Sequence, residues 1–293
     1  MSELIGAGFG HDVRITSDIE YAAPNGVTLS LDLYRPEASA AAVPTVLYLH
    51  GGGFALGRRT DFRERLIGVA KYGLAVASAS YRLTDIATYP AQLHDTRAAV
   101  RWLRQKGADF GLATDKIGVW GASAGGTLAM LAGFAPEDDA ADEQDSVQAV
   151  ASWFGATDLT KTGSHVAPAP DAVVPTVILE LATRDNIEMP PSPPFMARLV
   201  GAEDESAATE ELWKASPLAH AKRPGPPPIL LMHGDKDGLL PAEHSRWMYD
   251  AVKEAGGDAR LMSLGGANHE DHAFHRDEAL GALAGFFLEH LTS

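Results

Sequence analysis

Lys116-Ile117-Gly118-Val119-Trp120-Gly121-Ala122-Ser123-Ala124-Gly125-Gly126, running on into Thr127-Leu128-Ala129-Met130-Leu131-Ala132, decides the fold of this chain. The first five residues form an apolar run of buried-strand length, and the last six read as a helix. Between them lies a G-x-S-x-G at a strand-to-helix turn, the setting of a nucleophile elbow. So abrupt a reversal forces Ser123 into a strained backbone conformation. Gly121 and Gly125 lack a Cβ, which lets neighbouring chain pass close by. The helix that follows turns its free N–H groups and positive dipole end toward the serine.

The pattern on either side alternates strands with helices. Upstream, Thr45 to Leu49 reads as a strand, then come a glycine-rich loop and a helix over about 62–71. Leu74 to Tyr81 reads as the next strand, and Ala91 to Lys106 carries apolar residues at helical spacing. Downstream, strands are expected at Val147–Phe154, Pro228–Met232 and Arg260–Leu264, with amphipathic helices at Ala242–Glu254 and Asp277–Leu291. Such alternation implies an α/β fold with a mostly parallel central sheet and helices on both faces. Near the start, Ile19-Glu20-Tyr21 and Leu29 to Tyr34 alternate around Pro24-Asn25-Gly26, the pattern of a hairpin and hence an antiparallel edge. Residues 1–17 show no pattern. Gly6 to Gly10 resembles a dinucleotide loop but lacks the flanking strand and helix that reading requires.

Two stretches break the rhythm. Pro136 to Ser146 is acidic and small, as a surface loop would be. Residues 155–216 are too long for an ordinary connection. They are expected to form a lid over the carboxyl edge of the sheet, so that 1–155 and 216–293 make the core and 156–215 the insertion. Its segment Pro190-Pro191-Ser192-Pro193-Pro194 is stiff, which predicts a small acyl pocket rather than a mobile apolar lid.

In open α/β sheets, chemistry gathers just beyond the carboxyl ends of the strands. Three loops there carry reactive residue types. His50-Gly51-Gly52-Gly53-Phe54 offers backbone N–H groups unobstructed by side chains, which suits an oxyanion hole with the N–H of Ala124 as a further donor. No Gly-Lys-Ser/Thr follows to make it a phosphate loop. His233-Gly234-Asp235-Lys236-Asp237 and Gly265-Gly266-Ala267-Asn268-His269-Glu270-Asp271-His272 supply acids and histidines in the order Ser, acid, His.

With these marks together, and with Tyr81-Arg82-Leu83, Tyr89-Pro90-Ala91-Gln92 and Ala215-Ser216-Pro217-Leu218, the chain resembles the α/β-hydrolase-fold esterases that carry a His-Gly-Gly-Gly motif. That group spans hormone-sensitive-lipase-like carboxylesterases and the feruloyl-esterase-like and kynurenine-formamidase-like enzymes. The resemblance runs over about residues 17–291 and is weak at 1–16, 136–146 and 160–212. It implies Ser123 as nucleophile, Asp237 as acid and His269 as base, with Gly51, Gly52 and Ala124 holding the oxyanion. Asp235 and His272 are the rival acid and base. The sequence departs from the usual Gly-His-Gly, since Asn268 precedes His269 and Glu270 follows it. The implied activity is hydrolysis of short-chain or aryl esters through an acyl-enzyme, without cofactor or metal. An arylformamidase and a non-catalytic ligand-binding member of the fold are the alternatives.

Composition narrows the rest. The chain has 293 residues, 24 Lys and Arg against 39 Asp and Glu, and a net charge of −15. That balance disfavours nucleic acid and anionic membranes as partners. A small ester is the expected partner, and a homo-oligomer stays open. There is no cysteine, so thiolate chemistry, disulfides and cysteine-ligated zinc are excluded. His269, His272 and His275 lack the helical two-histidine spacing of H-E-x-x-H metal sites. Met1 to Asp12 has no basic start and no apolar run of signal-peptide length, and no run approaches a membrane span. The cytoplasm is the expected location.

Overall fold

Strands that are apolar on both sides need cover on both faces, and this sheet has it. The computed structural model describes residues 2–5, 10–37, 41–136, 143–162, 180, 183–184, 195–203 and 206–292. Among these residues nine strands form one sheet: β1 (Ser2–Ile5), β2 (Val13–Ala22), β3 (Leu29–Pro36), β4 (Val43–Leu49), β5 (Ala75–Ala79), β6 (Leu112–Ala122), β7 (Ala149–Trp153), β8 (Ile229–Gly234) and β9 (Ala259–Leu264). Their order is β1-β2-β3-β5-β4-β6-β7-β8-β9. β1, β2, β3 and β5 pair antiparallel in turn, and every pairing from β5 through β4 to β9 is parallel.

The helices are α1 (Arg63–Ala70), α2 (Ala91–Lys106), α3 (Ala124–Phe134), α4 (Phe195–Leu199), α5 (Thr209–Lys214), α6 (Glu243–Glu254) and α7 (Asp277–Thr292). Successive strand residues point to opposite faces. Val46 and Tyr48 pack with Trp120 against α1 and α7, through Leu66, Leu283 and Phe287. Leu47, Leu49 and Val119 pack against α2, α3 and α6, through Val100, Leu128 and Met248. Gly118 admits α7 closely, because a Cβ there would lie 2.6 Å from the Phe287 ring.

The strands and helices read from residue 44 onward are all present, with ends shifted by a few residues. The N-terminus differs. Residues 1–17 were expected to be unpatterned, yet β1 pairs with the first half of β2. Val13 and Ile15 are buried while Arg14 is exposed, so the alternation exists. It changes phase at a register shift between Thr16 and Ile19, where Asp18 has φ 62, and this hides one continuous strand. Most of Gly6–Gly10, the centre of the 136–146 loop and Pro190–Pro194 lie outside the described residues.

The chain runs from β4 through α1 to β5 on one side, then through α2 to β6 on the other side of β4. β4 and β6 therefore flank a topological switch point, where a crevice opens at the carboxyl edge. Register keeps that edge level: Leu49 pairs with Gly121, Gly121 with Ser152, Trp153 with Met232, and Gly234 with Leu264. Among the described residues no helix is long and apolar enough to cross a membrane.

Beyond β7, the loop is tied down by a histidine of α6. His244 is fully buried, and its Nδ1 accepts the backbone N–H groups of Thr157 at 3.2 Å and Asp158 at 3.4 Å. Burial, with the nearby His233, lowers its pKa from 6.5 to about 4. Below pH 6.5 the unfolded chain takes up a proton that the folded chain resists until about pH 4. Stability is thus full above pH 6.5 and falls by about 3 kcal/mol from this group on reaching pH 4. The urea unfolding midpoint is expected to drop between pH 7 and pH 4.5. A level midpoint would show that His244 is charged within the fold.

Candidate active site

Ser123 sits between β6 and α3 with φ 54 and ψ −121, a conformation costly for an L-residue. The reversal allows no side chains beside it. A Cβ on Gly121 would lie 2.1 Å from the Gly125 carbonyl oxygen, and one on Gly125 would lie 2.0 Å from that of Leu49. The Ser123 N–H donates to the Trp153 carbonyl at 2.9 Å, and the Thr127 N–H donates to the Ser123 carbonyl at 3.0 Å. Ala124 opens α3, so its N–H belongs to the first turn, where helices have no internal acceptor.

The three residues expected to act together are brought together. His269 Nε2 lies 3.0 Å from Ser123 Oγ, and His269 Nδ1 lies 2.7 Å from Asp237 Oδ2. The carboxylate can only accept, so Nδ1 carries the proton and Nε2 is left to accept from the hydroxyl. Ser123 is 8% exposed and His269 2%. Asp237 Oδ1 also accepts the N–H groups of Leu239 at 2.9 Å and Leu240 at 2.8 Å. Burial pushes the Asp237 carboxyl up. Attraction to His269 and hydrogen bonds from His233 and His269 outweigh burial and hold it well below the usual carboxylate range.

The rivals are elsewhere. Asp235 Oδ1 accepts the Gly266 N–H at 2.6 Å and bridges the two loops. His272 is exposed and its ring stacks on His275 at 5.7 Å. Among the described residues no group of three or more His, Asp or Glu side chains is arranged to hold a metal ion.

The glycine loop stands beside the serine. A Cβ on Gly51 would lie 3.2 Å from Ser123 Cβ, and one on Gly52, at φ 121, would lie 2.3 Å from the Leu56 carbonyl oxygen. His50 Nδ1 donates to the Gly51 carbonyl at 2.8 Å, and its ring stacks on Tyr81 at 4.4 Å. The Tyr81 hydroxyl donates to the His50 carbonyl at 2.8 Å. Arg82 forms a bidentate pair with Asp95, Nε donating to Oδ2 at 2.9 Å and Nη2 to Oδ1 at 2.7 Å. Phe54, Trp153 and Phe154 are buried, and the Phe154 ring packs edge-on against His269 at 4.7 Å.

Two supporting residues escaped the sequence reading. His233 stands there only as part of its loop, yet its Nε2 lies 3.2 Å from Asp237 Oδ2 and 2.9 Å from the Leu240 carbonyl. Both partners are acceptors, so Nε2 carries a proton, while Nδ1 faces Ser245 Oγ at 2.7 Å. The i to i+4 spacing of His233 and Asp237 was the available signal. Asn268 Oδ1 accepts the N–H groups of His269 at 2.7 Å and Gly238 at 2.9 Å, which locks the histidine loop to the acid loop.

Known proteins are similar to this chain. The esterase LipQ of Mycobacterium tuberculosis is 28% identical over 268 residues, covering 88% of this chain and 57% of LipQ. The ethyl acetate hydrolase of Pseudomonas putida is 32% identical over 133 residues, covering 44% of this chain and 42% of that protein. The chain spans about half the length of the curated relatives it matches. A truncated carbohydrate esterase from gut microbiota superposes with a TM-score of 0.77 at 22% identity, over 98% of this chain and 99% of that one. That likeness is one of fold, and the fold is that of the α/β-hydrolases. The BD-FAE family matches residues 31–252, well over half of the sequence, and the chain belongs to that family.

Proposed function

We propose that this chain is a serine carboxylesterase that hydrolyses short-chain or aryl esters through an acyl-enzyme. The observation that carries the reading is the run of contacts from Asp237 Oδ2 through His269 to Ser123 Oγ, at 2.7 and 3.0 Å. A serine hydroxyl is a poor nucleophile until a base takes its proton. In this reading Ser123 Oγ attacks the ester carbonyl carbon while His269 Nε2 takes the hydroxyl proton. Asp237 holds Nδ1–H and stabilises the imidazolium. The carbonyl oxygen, now negative, is received by the N–H groups of Gly51, Gly52 and Ala124. Collapse expels the alcohol, which leaves with the proton from Nε2. Water then attacks the acyl-serine with the same base, releasing the acid and restoring Ser123. The names of the relatives, an esterase and an ethyl acetate hydrolase, agree with this chemistry.

In the same reading residues 156–215 cap the site. Their two ends are joined at a stem, with the Leu159 N–H donating to Ser216 Oγ at 2.8 Å and the Leu218 N–H to the Thr157 carbonyl at 2.9 Å. α4 meets the strand-edge loops, since the Tyr89 N–H donates to the Leu199 carbonyl at 2.7 Å. The same loop returns to the glycine turn through the Thr84 N–H on the Phe54 carbonyl at 2.9 Å. A segment tied at its stem and docked through α4 favours small acyl groups.

Three measurements test the proposal. Ser123→Ala should lower kcat by roughly a million-fold with little change in melting temperature, and an organophosphate should add mass to wild type at Ser123 alone. Full activity in that variant would end the serine mechanism. Asp237→Asn offers Nδ1 either a donor or an acceptor and loses the charge, so kcat should fall by about 10⁴-fold; retention of most activity would remove Asp237 from the reaction. Across p-nitrophenyl esters, with a feruloyl ester and N-formylkynurenine included, rates should peak at acyl chains of about two to six carbons. They should decline beyond, as added methylenes meet overpacking costs of about 1–3 kcal/mol. A preference for long-chain triglycerides, or a jump in rate on emulsification, would contradict the tied cap.

A further inference from the structure

A buried charge that takes no part in this scheme lies behind the histidine loop. Arg65, on α1, is fully buried. Its Nη2 donates to Glu270 Oε1 and, at 2.9 Å, to His275 Nε2. Nη1 lies 3.4 Å from Tyr48 Oη, and the guanidinium carbon sits 4.4 Å over the Phe62 ring and 5.2 Å over the Trp153 ring. Burial, then the charge of Arg65, brings the pKa of His275 down to about 4, so His275 is a neutral acceptor at pH 7. Among the described residues the anionic partner of Arg65 is Glu270, whose side chain is 3% exposed. The two are 205 residues apart in sequence and join α1 to the loop that carries His269.

Glu270 directly follows His269 and has φ 56, the left-handed conformation that favours glycine. A residue with a Cβ stays there only where its surroundings over-determine it. The surroundings here form a closed ring. His269 packs on Phe154 at 4.7 Å, Phe154 on Phe274 at 4.5 Å, Phe274 on Trp153 at 5.3 Å, and Trp153 under Arg65 at 5.2 Å. Arg65 closes it through Glu270, the neighbour of His269.

We propose that Arg65 and Glu270 are positioning residues, whose buried ion pair holds the backbone after His269 left-handed and so keeps the imidazole in reach of Ser123 and Asp237. This rests on the esterase reading. It accounts for a glutamate at a backbone position suited to glycine: the anchored side chain supplies what glycine would supply by conformational freedom, and adds a fixed tether.

The test compares kcat and KM for p-nitrophenyl acetate in wild type, Arg65→Met, Arg65→Met/Glu270→Gly and Arg65→Met/Glu270→Ala, with melting curves for each. Arg65→Met leaves a carboxylate buried without its partner, and kcat should fall about 100-fold with KM within about twofold. Neither double variant strands a buried charge, so both should fold. Only glycine holds the left-handed backbone without an anchor, so kcat of the glycine double should exceed that of the alanine double by about tenfold. Equal kcat in the two folded doubles, or a folded Arg65→Met with wild-type kcat, would overturn the proposal. If Arg65→Met does not fold, the pair of doubles still decides it. An inactive wild type would remove the esterase reading and this inference with it, whereas an active wild type with indifferent variants would remove the inference alone.

Discussion

A methyl group on Gly125 would lie 2.0 Å from the carbonyl oxygen of Leu49, and on Gly126 it would lie 2.7 Å from Ser152 Oγ. β4, β6 and α3 therefore meet at Ser123 as bare backbone, with the Ser152 hydroxyl of β7 beside them. No rotamer change relieves the contacts at Gly125 and Gly121, because the atoms opposite them belong to the main chain. The unfavourable conformation of Ser123, worth about 1–3 kcal/mol, persists because the elements on both sides of it are immovable. Every residue of α3 is buried, and the last six residues of β6 are as well. The serine is thus held by the core itself.

Asp237 and His269 reach Ser123 differently. Asp237 and His269 follow β8 and β9, which lie two and three places from β6 in the sheet. Neither sits on a regular element. Each is fixed by polar contacts: Asp237 through two backbone N–H groups and two imidazoles, His269 through Asn268, Asp237 and the Phe154 ring. An ionised carboxylate without solvent is stable only with such a set of donors. The same donors orient it, so satisfying the buried charge and aiming the histidine are one requirement.

These two modes of support explain what the sequence disclosed. Strands buried on both faces read as apolar runs, and the bare-backbone crossing at Ser123 left glycines at 121, 125 and 126, so core and elbow were visible. The glycines at 51 to 53 were visible for the same reason. Asp237 and His269 emerged from their places after strands together with a family resemblance, since a loop carboxylate or histidine has no periodicity of its own. β1 and the start of β2 were missed because the irregularity at Asp18 shifts the phase of alternation. Arg65 was invisible, because it reads as one more charged residue on a helix that also carries Arg63 and Glu64. Its burial depends on a glutamate 205 residues away, a relation that no local pattern records.

The division also indicates where the site tolerates change. Around Ser123 the constraint is volume, which admits no larger residue at the flanking glycines. Around His269 the constraint is pairing. Asp235 with the Gly266 N–H, Asn268 with the Gly238 N–H, Asp271 with the Ala273 N–H, and Glu270 with Arg65 are four ties, each made by a side chain. Pairings can be exchanged for others of equal geometry, whereas a backbone crossing cannot. A loop built on exchangeable ties can therefore depart from Gly-His-Gly, as Asn268-His269-Glu270 does, and still bring Nε2 to 3.0 Å from the serine.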